Sequence, residues 1–137
     1  MNTDFHISTD SSRLDIDMIY NYLSANSYWA KDRTSEKVTK SIENSFCFGV
    51  YTENKQVGFA RVVTDYAVFA WVLDLFIVED HQGKGLGKLL MESIVNHLDL
   101  QMVRRWGLNT KDAHGLYERY GFKKIDDPEI HMQRIVG

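Results

Sequence analysis

The chain has 137 residues, 44% of them apolar and 26% charged, which is typical of one globular domain with a substantial core. Its net charge is −3 and it has no basic block, so it lacks the charge signature of a nucleic-acid-binding protein. The single cysteine, Cys47, excludes an intrachain disulfide and a multi-cysteine zinc site. Residues 1–20 lack the apolar segment of a secretion signal, and the apolar run 67–78 is too short to span a bilayer. We therefore expect a cytoplasmic protein that binds neither nucleic acid nor membrane.

The first third of the chain predicts one short strand and two helices. Residues 5–9 favour a strand, and Ser12 has capping-box spacing ahead of an apolar helical face that ends near Leu23. Residues 24–31 are typical of a loop, whose Tyr28 and Trp29 either pack inward or line a substrate pocket. Thr34 or Ser35 then caps a second helix.

From residue 46 onward the pattern changes to strands. Residues 46–51 and 57–63 predict an antiparallel hairpin, and residues 67–78 predict a long strand that is covered on both faces. A helix over about 85–98, a strand over 103–109 and a short helix over 113–120, ended by Gly121, follow. Residues 122–125 and 130–136 predict two final strands, so the whole chain, 1–137, is expected to form one domain with a mixed sheet and about four helices.

The central motif is a glycine-rich turn between the long strand and the third helix. Gly83, Gly85 and Gly87 occupy alternate positions, with Lys84 and Lys88 between and after them. The first amides of a helix lack intrahelical partners and the helix dipole favours negative charge there, so this turn predicts an anion site, which we interpret as a diphosphate site.

Two well-known phosphate motifs do not fit this turn. A P-loop ending at Gly87-Lys88 would place Gln82 at its first glycine and Leu89 at its hydroxyl position. The dinucleotide fingerprint needs its third glycine one residue later than Gly87. Neither nucleotide-binding class is supported.

The pattern that fits is Gln82-x-x-Gly85-x-Gly87, an example of Gln/Arg-x-x-Gly-x-Gly/Ala. Some thirty residues later, residues 116–122 read Leu-Tyr-Glu-Arg-Tyr-Gly-Phe. In this order and spacing the two motifs resemble those of the GCN5-related N-acetyltransferase (GNAT) family. The resemblance covers residues 5–135 and implies a largely antiparallel sheet of six to seven strands, in which strands four and five splay apart.

The resemblance implies that acetyl-CoA is the co-substrate, with no metal. Its pantetheine arm would pair with the backbone of the long strand, as in ligand binding by strand addition, and its diphosphate would bind the turn. The residues implied in cofactor binding are Leu75, Phe76, Ile77, Val78, Gln82, Gly83, Lys84, Gly85, Leu86, Gly87, Lys88, Asn109 and Tyr117. Many family members carry an asparagine where this chain has Thr110, beside Asn109, so this contact is expected to differ.

Two catalytic residues are carried over from the resemblance. Tyr117 matches the family tyrosine that acts as general acid near the cofactor sulfur, and the motif register favours it over Tyr120. Full proton transfer from a tyrosine to a thiolate is uphill by roughly 1.5 pKa units, so a strengthening hydrogen bond is an equally good role. Asp74, the only charge in residues 67–78, is the candidate base, with a role in orienting the substrate or backbone as the alternative.

Other polar residues are weaker candidates. Asp112 is expected to cap the tyrosine helix, His114 to lie at the surface or cofactor side, and Cys47 to be a small strand hydrophobe.

The resemblance therefore implies direct acetyl transfer to a primary amine of a small molecule or peptide. Two alternatives stay open, namely a non-catalytic acyl-CoA-binding module and an acyltransferase that uses another acyl-CoA or an O-acceptor. The expected acceptor-side parts are the first-helix region, Tyr28, Trp29, Arg33 and the turn at Tyr66. A homodimer is left open, and the sequence encodes no particular amine.

Overall fold

A computed structural model describes residues 4–136 as a single sheet flanked by helices on both faces. The strands are β1 (His6–Ser8), β2 (Phe46–Thr52), β3 (Lys55–Thr64), β4 (Phe69–Ile77) and β5 (Arg105–Gly107). The α-helices are α1 (Ile16–Asn26), α2 (Ser35–Glu43), α3 (Leu86–Val95) and α4 (His114–Glu118). The predicted mixed fold with four helices is confirmed.

The sheet has the strand order β1-β2-β3-β4-β5, antiparallel throughout except for the parallel pair β4 and β5. These two strands pair over only three positions, from Phe69 opposite Arg105 to Trp71 opposite Gly107. Beyond Trp71, β4 runs on to Ile77 with no neighbour on that side among the described residues. The predicted splay of strands four and five is confirmed.

A β-bulge lies in β4 at Asp74. Leu73 pairs with Arg61 and Phe76 with Phe59, so Asp74 and Leu75 together face the single residue Ala60. Asp74 has a φ of 55°, a left-handed conformation that aspartate tolerates better than most residues. An extra residue reverses the alternation of side chains between the two faces, and the side chains before and after Asp74 show this reversal.

The two faces carry separate apolar cores. Ala70, Val72 and Ile77 belong to the core against α3, which places even-numbered residues on that face before the bulge and odd-numbered residues after it. Phe76 belongs to the core against α1 and α2, where Phe59 is fully buried. Each fully buried large side chain contributes about 1.5–3 kcal/mol, so the helices are held mainly by these two layers.

Of the two predicted helix N-caps, the first is wrong and the second is confirmed. The predicted cap at Ser12 is wrong, because α1 begins one turn later, where Asp15 accepts a hydrogen bond from the Met18 amide at 3.1 Å. The buried Gln56 on β3 accepts the Asp15 amide at 2.8 Å and so fixes this start against the sheet. Thr34 caps α2 through the Lys37 amide, as predicted.

The first three residues of the predicted loop 24–31 are helical, because α1 continues to Asn26. The buried Ser27 then ends it: its hydroxyl donates to the Leu23 carbonyl and accepts the Ala30 amide. The remaining loop turns Tyr28 and Trp29 toward the sheet edge described below.

The two final strands predicted at 122–125 and 130–136 are wrong, so the described sheet has five strands instead of six to seven. A strand needs a neighbouring ladder and a buried face, and this segment has neither within residues 4–136. Phe122 packs against the core, but the apolar side chains after it point into solvent, namely Ile125, Ile130, Met132, Ile135 and Val136. The predicted strand over 103–109 exists but is shorter, at Arg105–Gly107.

None of the helices in the described part of the chain has the length and apolar character needed to cross a membrane.

Candidate active site

The glycine turn directly continues β4. One turn of 3₁₀-helix, Glu79–His81, follows the strand, and α3 begins after Gly85. The Gln82 side chain donates from Nε2 to the Ile77 carbonyl at 2.8 Å, which ties the turn to the end of the strand. The Gln82 side chain therefore stabilises the turn by binding a backbone carbonyl of the strand.

Gly83 and Gly85 both have a φ of 78°, and an added Cβ at either would meet no atom within 4 Å. Glycine is needed there for its conformation, not for lack of space inside the protein. Gly85 is the N-cap of α3, has no side chain to satisfy the first amides, and accepts the Leu89 amide at 3.1 Å. The three preceding amides, those of residues 86–88, thus have no intrahelical acceptor and can bind an anion.

The short helix α4 is held between two anchors. At its start the N-cap residue is Ala113 and no side chain caps the first amides, so the predicted cap at Asp112 is wrong. The Thr110 hydroxyl accepts the Ala113 amide at 3.0 Å and so holds the chain just before the helix. At its end the Gly121 amide donates to the Glu118 carbonyl and the Phe122 amide to the Tyr117 carbonyl, the bonds of a Schellman motif. Gly121 has a φ of 89°, as its predicted role requires.

The Schellman motif also positions Tyr117. The Phe122 ring meets the Tyr117 ring edge-on at 6.2 Å, the apolar contact that commonly accompanies this cap. Within residues 4–136 the Tyr117 hydroxyl has no hydrogen-bond partner, whereas the Tyr120 hydroxyl donates to the Lys88 carbonyl at 3.0 Å. Of the two tyrosines in the motif, Tyr117 has its hydroxyl available for a ligand and Tyr120 has a structural role.

The pKa of Tyr117 is raised above its ordinary value, first by burial and then by Tyr28 and Asp112. Each of these causes disfavours the phenolate, so the neutral, proton-bearing form persists to higher pH. A tyrosine held neutral can donate a hydrogen bond throughout the physiological range.

Asp74 is the centre of an ion cluster on the α1–α2 face. Its Oδ1 accepts the Trp29 indole N–H at 2.8 Å, and its Oδ2 accepts Arg33 Nη1 at 2.7 Å and Arg61 Nε at 2.6 Å. Burial alone raises the pKa of Asp74, but the hydrogen bonds and charges of both arginines outweigh it, and the net pKa is lowered. A carboxylate that is ionised and saturated in this way is a weak proton acceptor.

Arg61 is the residue that sequence reasoning missed. The signal was present: Arg61 is the one charge in residues 57–63, as Asp74 is in residues 67–78. Two lone charges in consecutive strands of a predicted hairpin indicate a cross-strand pair, since each buried charge needs a partner. Arg33, expected on the acceptor side, is the third member of the cluster.

Three further candidate residues lack the contacts or the exposure that a functional role would need. Asn109 is exposed and its side chain makes no hydrogen bond within residues 4–136, and His114 is exposed as well. Cys47 is buried with its thiol toward the Ile42 carbonyl, and burial raises its pKa to about 11, with a smaller opposing effect from Arg61. Cys47 is therefore the small strand hydrophobe that was expected, not a nucleophile.

The structure assembles these parts around the gap between β4 and β5. On one face the glycine turn leads into α3, and α4 packs against the first turn of α3: Leu116 lies beside Gly87, and Tyr120, just after α4, donates to the Lys88 carbonyl. Asp74 and its arginines lie on the other face. Tyr28 connects the two, since its ring lies 5.1 Å from Lys111 Nζ in the loop before α4. The gap is thus flanked by the glycine turn and Tyr117 on one face of the sheet and by the Asp74 cluster on the other.

Comparison with known proteins agrees with this arrangement. The family model of the acetyltransferase (GNAT) domain matches residues 43–124. A crystal structure of a GNAT-family acetyltransferase from Xanthomonas campestris pv. campestris is 47% identical, covers 97% of this chain and 94% of its own, and superposes with a TM-score of 0.94.

Two curated relatives give the same result. An uncharacterised N-acetyltransferase, ycf52, of Gracilaria tenuistipitata var. liui is 34% identical over 79% of this chain and 69% of its own length. The spermine/spermidine N(1)-acetyltransferase of Bacillus subtilis is 31% identical over 64% of this chain and 66% of its own. The chain belongs to the GNAT family of N-acetyltransferases.

Proposed function

We propose that this protein transfers the acetyl group of acetyl-CoA directly to a primary amine of a small molecule or peptide. The observation that carries the proposal is the unpaired length of β4, which starts after Trp71 and leads straight into the glycine turn. A backbone edge for an extended amide-containing arm therefore adjoins an anion site at a helix start. This is the order of groups along the pantetheine and diphosphate of coenzyme A.

The residues that would hold the cofactor divide into two groups. The Val78 amide donates to the Val57 carbonyl, so residues 76 and 78 turn their backbone groups toward β3, and residues 75 and 77 turn theirs toward the free edge. The Ile77 carbonyl accepts Gln82, so the N–H and C=O of Leu75 and the N–H of Ile77 are the groups left for pairing with the pantetheine arm. The amides of residues 86–88, with Lys84 and Lys88 nearby, would bind the diphosphate. When bound, acetyl-CoA supplies the activated acetyl group as a thioester.

Tyr117 is assigned the role of general acid or hydrogen-bond donor to the sulfur that leaves. It is neutral, half-buried, and its hydroxyl is not engaged by the rest of the described chain. A hydrogen bond that strengthens as charge develops on the sulfur lowers the barrier without complete proton transfer.

Asp74 is assigned a positioning role in place of the catalytic base. Its lowered pKa and its three hydrogen bonds leave it little tendency to accept a proton. It holds Trp29 and Arg33, and with them the α1–α2 loop, beside the gap. The amine would then lose its proton to water or arrive neutral.

The proposal also treats residues 1–137 as one acetyltransferase domain, since both described cores are built on the same sheet. The relative that is named for spermine and spermidine makes polyamines one acceptor class to be tested.

Two measurements on the purified protein test the proposal together. Acetyl-CoA should raise the melting temperature, since a ligand at 100 times its Kd stabilises the folded state by about 2.7 kcal/mol. Release of free thiol should follow when amines from several classes are added, namely polyamines, aminoglycosides, amino acids and peptide N-termini. No shift at millimolar acetyl-CoA would overturn the proposal, and a shift without thiol release from any amine would favour the acyl-CoA-binding module.

A further inference from the structure

The cluster around Asp74 carries more positive than negative charge. It contains two guanidinium groups, from Arg33 and Arg61, and one carboxylate. The exposed fraction of the side chain is 1% for Asp74, 11% for Arg61 and 26% for Arg33. Among the described residues neither arginine has a second ion-pair partner, so one positive charge is left uncompensated in a largely buried place. A surplus buried charge is costly unless an anion offsets it.

The two arginines differ in how far their donors are used. Arg61 donates from Nε to Asp74 and from Nη1 to the Ser45 hydroxyl at 3.2 Å, so it is held in place by the protein. Arg33 makes one side-chain hydrogen bond within residues 4–136, from Nη1 to Asp74. Its remaining N–H groups are on the more exposed of the two side chains, and a guanidinium fork of this kind suits a carboxylate or phosphate.

The position of Arg33 places this fork on the acceptor side of the proposed reaction. Arg33 lies in the loop that also carries Tyr28 and Trp29, both with exposed rings. Trp29 is tied to Asp74, the residue just before Leu75, and Tyr28 reaches Lys111 in the loop before α4. Exposed aromatic rings beside an incompletely used arginine are typical of a surface that binds a small polar molecule.

We propose that Arg33 is the anion-recognition residue of the acceptor site, and that the acceptor is a primary amine that also carries an oxyanion, a carboxylate or a phosphate. Arg33 donates to the oxyanion while Asp74 and Arg61 hold its guanidinium in place. Polyamines are disfavoured, because they would add positive charge beside Arg33 and Lys111. This inference rests on the proposed function and names the substrate class for it.

The test compares amines in pairs that differ by the anionic group alone. Tyrosine against tyramine and lysine against cadaverine test the carboxylate, and phosphoethanolamine against ethanolamine tests the phosphate. We expect the anionic member of at least one pair to have a kcat/KM about 10-fold higher or more, the effect of one additional charge-assisted hydrogen bond. Equal rates within every pair, or faster turnover of cadaverine and spermidine, would overturn the inference while leaving the acetyltransferase function in place.

Variants of Arg33 show whether this residue causes the preference. Arg33→Gln should raise KM for the member with the anionic group about 10-fold and bring the pair close to parity, with little change for the member that lacks this group. Arg33→Lys keeps the charge but not the fork, so it should restore part of the preference. Arg104→Gln, which removes an exposed arginine just before β5, should leave the preference intact. A preference that survives Arg33→Gln would contradict the assignment.

Binding without turnover separates this inference from the reaction itself. With free CoA in place of acetyl-CoA no acetyl group is available, so a further rise in melting temperature on adding an amine reports acceptor binding alone. Anionic amines should give this rise with the wild-type protein and not with Arg33→Gln. The same CoA-induced shift in both proteins shows that the variant is folded and cofactor-competent. Rises of equal size for amines with and without the anionic group would count against Arg33.

Discussion

The side chain of Arg61 on β3 reaches Asp74 in the bulge of β4, and Arg61 Nε donates to Asp74 Oδ2 at 2.6 Å. The contact depends on the bulge in β4, since regular alternation would turn the residue at position 74 toward α3 along with Ala70 and Val72. The bulge thus moves the only acidic side chain of β4 to the opposite face. There it organises Trp29 and Arg33.

Replacing Asp74 by asparagine should destabilise the protein strongly. Two buried guanidiniums would lose their counter-ion, and removing one partner of a buried pair costs about 3–5 kcal/mol. Thermal or urea unfolding at neutral pH measures the loss. Asp32→Asn makes the same chemical change at an exposed position in the same loop and should cost less than about 0.5 kcal/mol.

The pH dependence of this difference has a defined sign. The folded-state pKa of Asp74 is lowered, so its contribution to stability is fully present above the unfolded-state value of about 3.9 and is lost as the pH falls through the folded value. The gap in stability between wild type and Asp74→Asn should therefore be constant from pH 8 to pH 5 and shrink below about pH 4. A gap that widens as the pH falls from about 7 to 4 would instead fit a carboxylate with a raised pKa, as a general base would have.

Tyr117→Phe should lower kcat by about 100-fold, the lower range for removal of a general acid, while the melting shift with acetyl-CoA stays the same. Because the pKa of Tyr117 is raised, the wild-type rate should decline through its ionisation only above pH 10, and this decline should be absent from the variant. Tyr120→Phe is the matched control: it removes the hydrogen bond to the Lys88 carbonyl, costs about 1 kcal/mol of stability and keeps kcat. The opposite ranking of the two variants would assign the acid role to Tyr120.

The glycines of the turn can be separated by a pair of alanine substitutions. Gly85→Ala forces a left-handed conformation that costs about 1–2 kcal/mol and tilts the first amides of α3, so affinity for CoA should fall by about 10-fold or more. At Gly87→Ala the new methyl group would meet Leu116 at an ordinary 3.6 Å, and the helix should gain about 0.5–1 kcal/mol. Calorimetric titration with CoA should show near wild-type affinity for Gly87→Ala. Equal affinities for both variants would argue against an anion site at these amides.

Cys47 should play no part in the transfer. Its pKa of about 11 and its burial keep the thiol protonated and inaccessible at pH 8, so the native protein should resist iodoacetamide and retain its activity. Cys47→Ala should have wild-type kcat, with a small loss of stability measured by thermal unfolding. Inactivation that tracks alkylation of Cys47 would instead indicate an acyl-cysteine route.

The elements that the sequence predicted well are those specified by local chemistry. Gly121 and Phe122 encode a helix end that depends only on neighbouring residues, and Thr34 encodes a start of the same kind. The position of Asp15 as the true cap of α1 depended on Gln56, forty-one residues away, and no local pattern contains that contact.

The ion cluster and the structure of the C-terminal segment could not be predicted from local sequence, because both depend on pairing between distant residues. The bulge at Asp74 decides which face its carboxylate occupies, and a single inserted residue in a pairing register has no clear signature in one strand alone. In the C-terminal segment, Ile130 and Met132 have strand-like spacing, yet a strand exists only where a neighbour offers its edge. Residues 4–136 offer this segment no such neighbour.

Five residues are too few for α4 to be stable as an isolated helix, so its position is set by the elements against which it packs. It leans on α3, through the Tyr120 hydroxyl and through Leu116 beside Gly87, and the glycine turn is the first turn of that same helix. The helix α3 therefore positions both the candidate diphosphate site and α4, which carries the Tyr117 hydroxyl. A tilt of α3 would move the glycine turn and α4 together, so the distance between them would be preserved. The α1–α2 loop lies on the far face and reaches this unit through Tyr28, whose ring contacts Lys111 in the loop before α4.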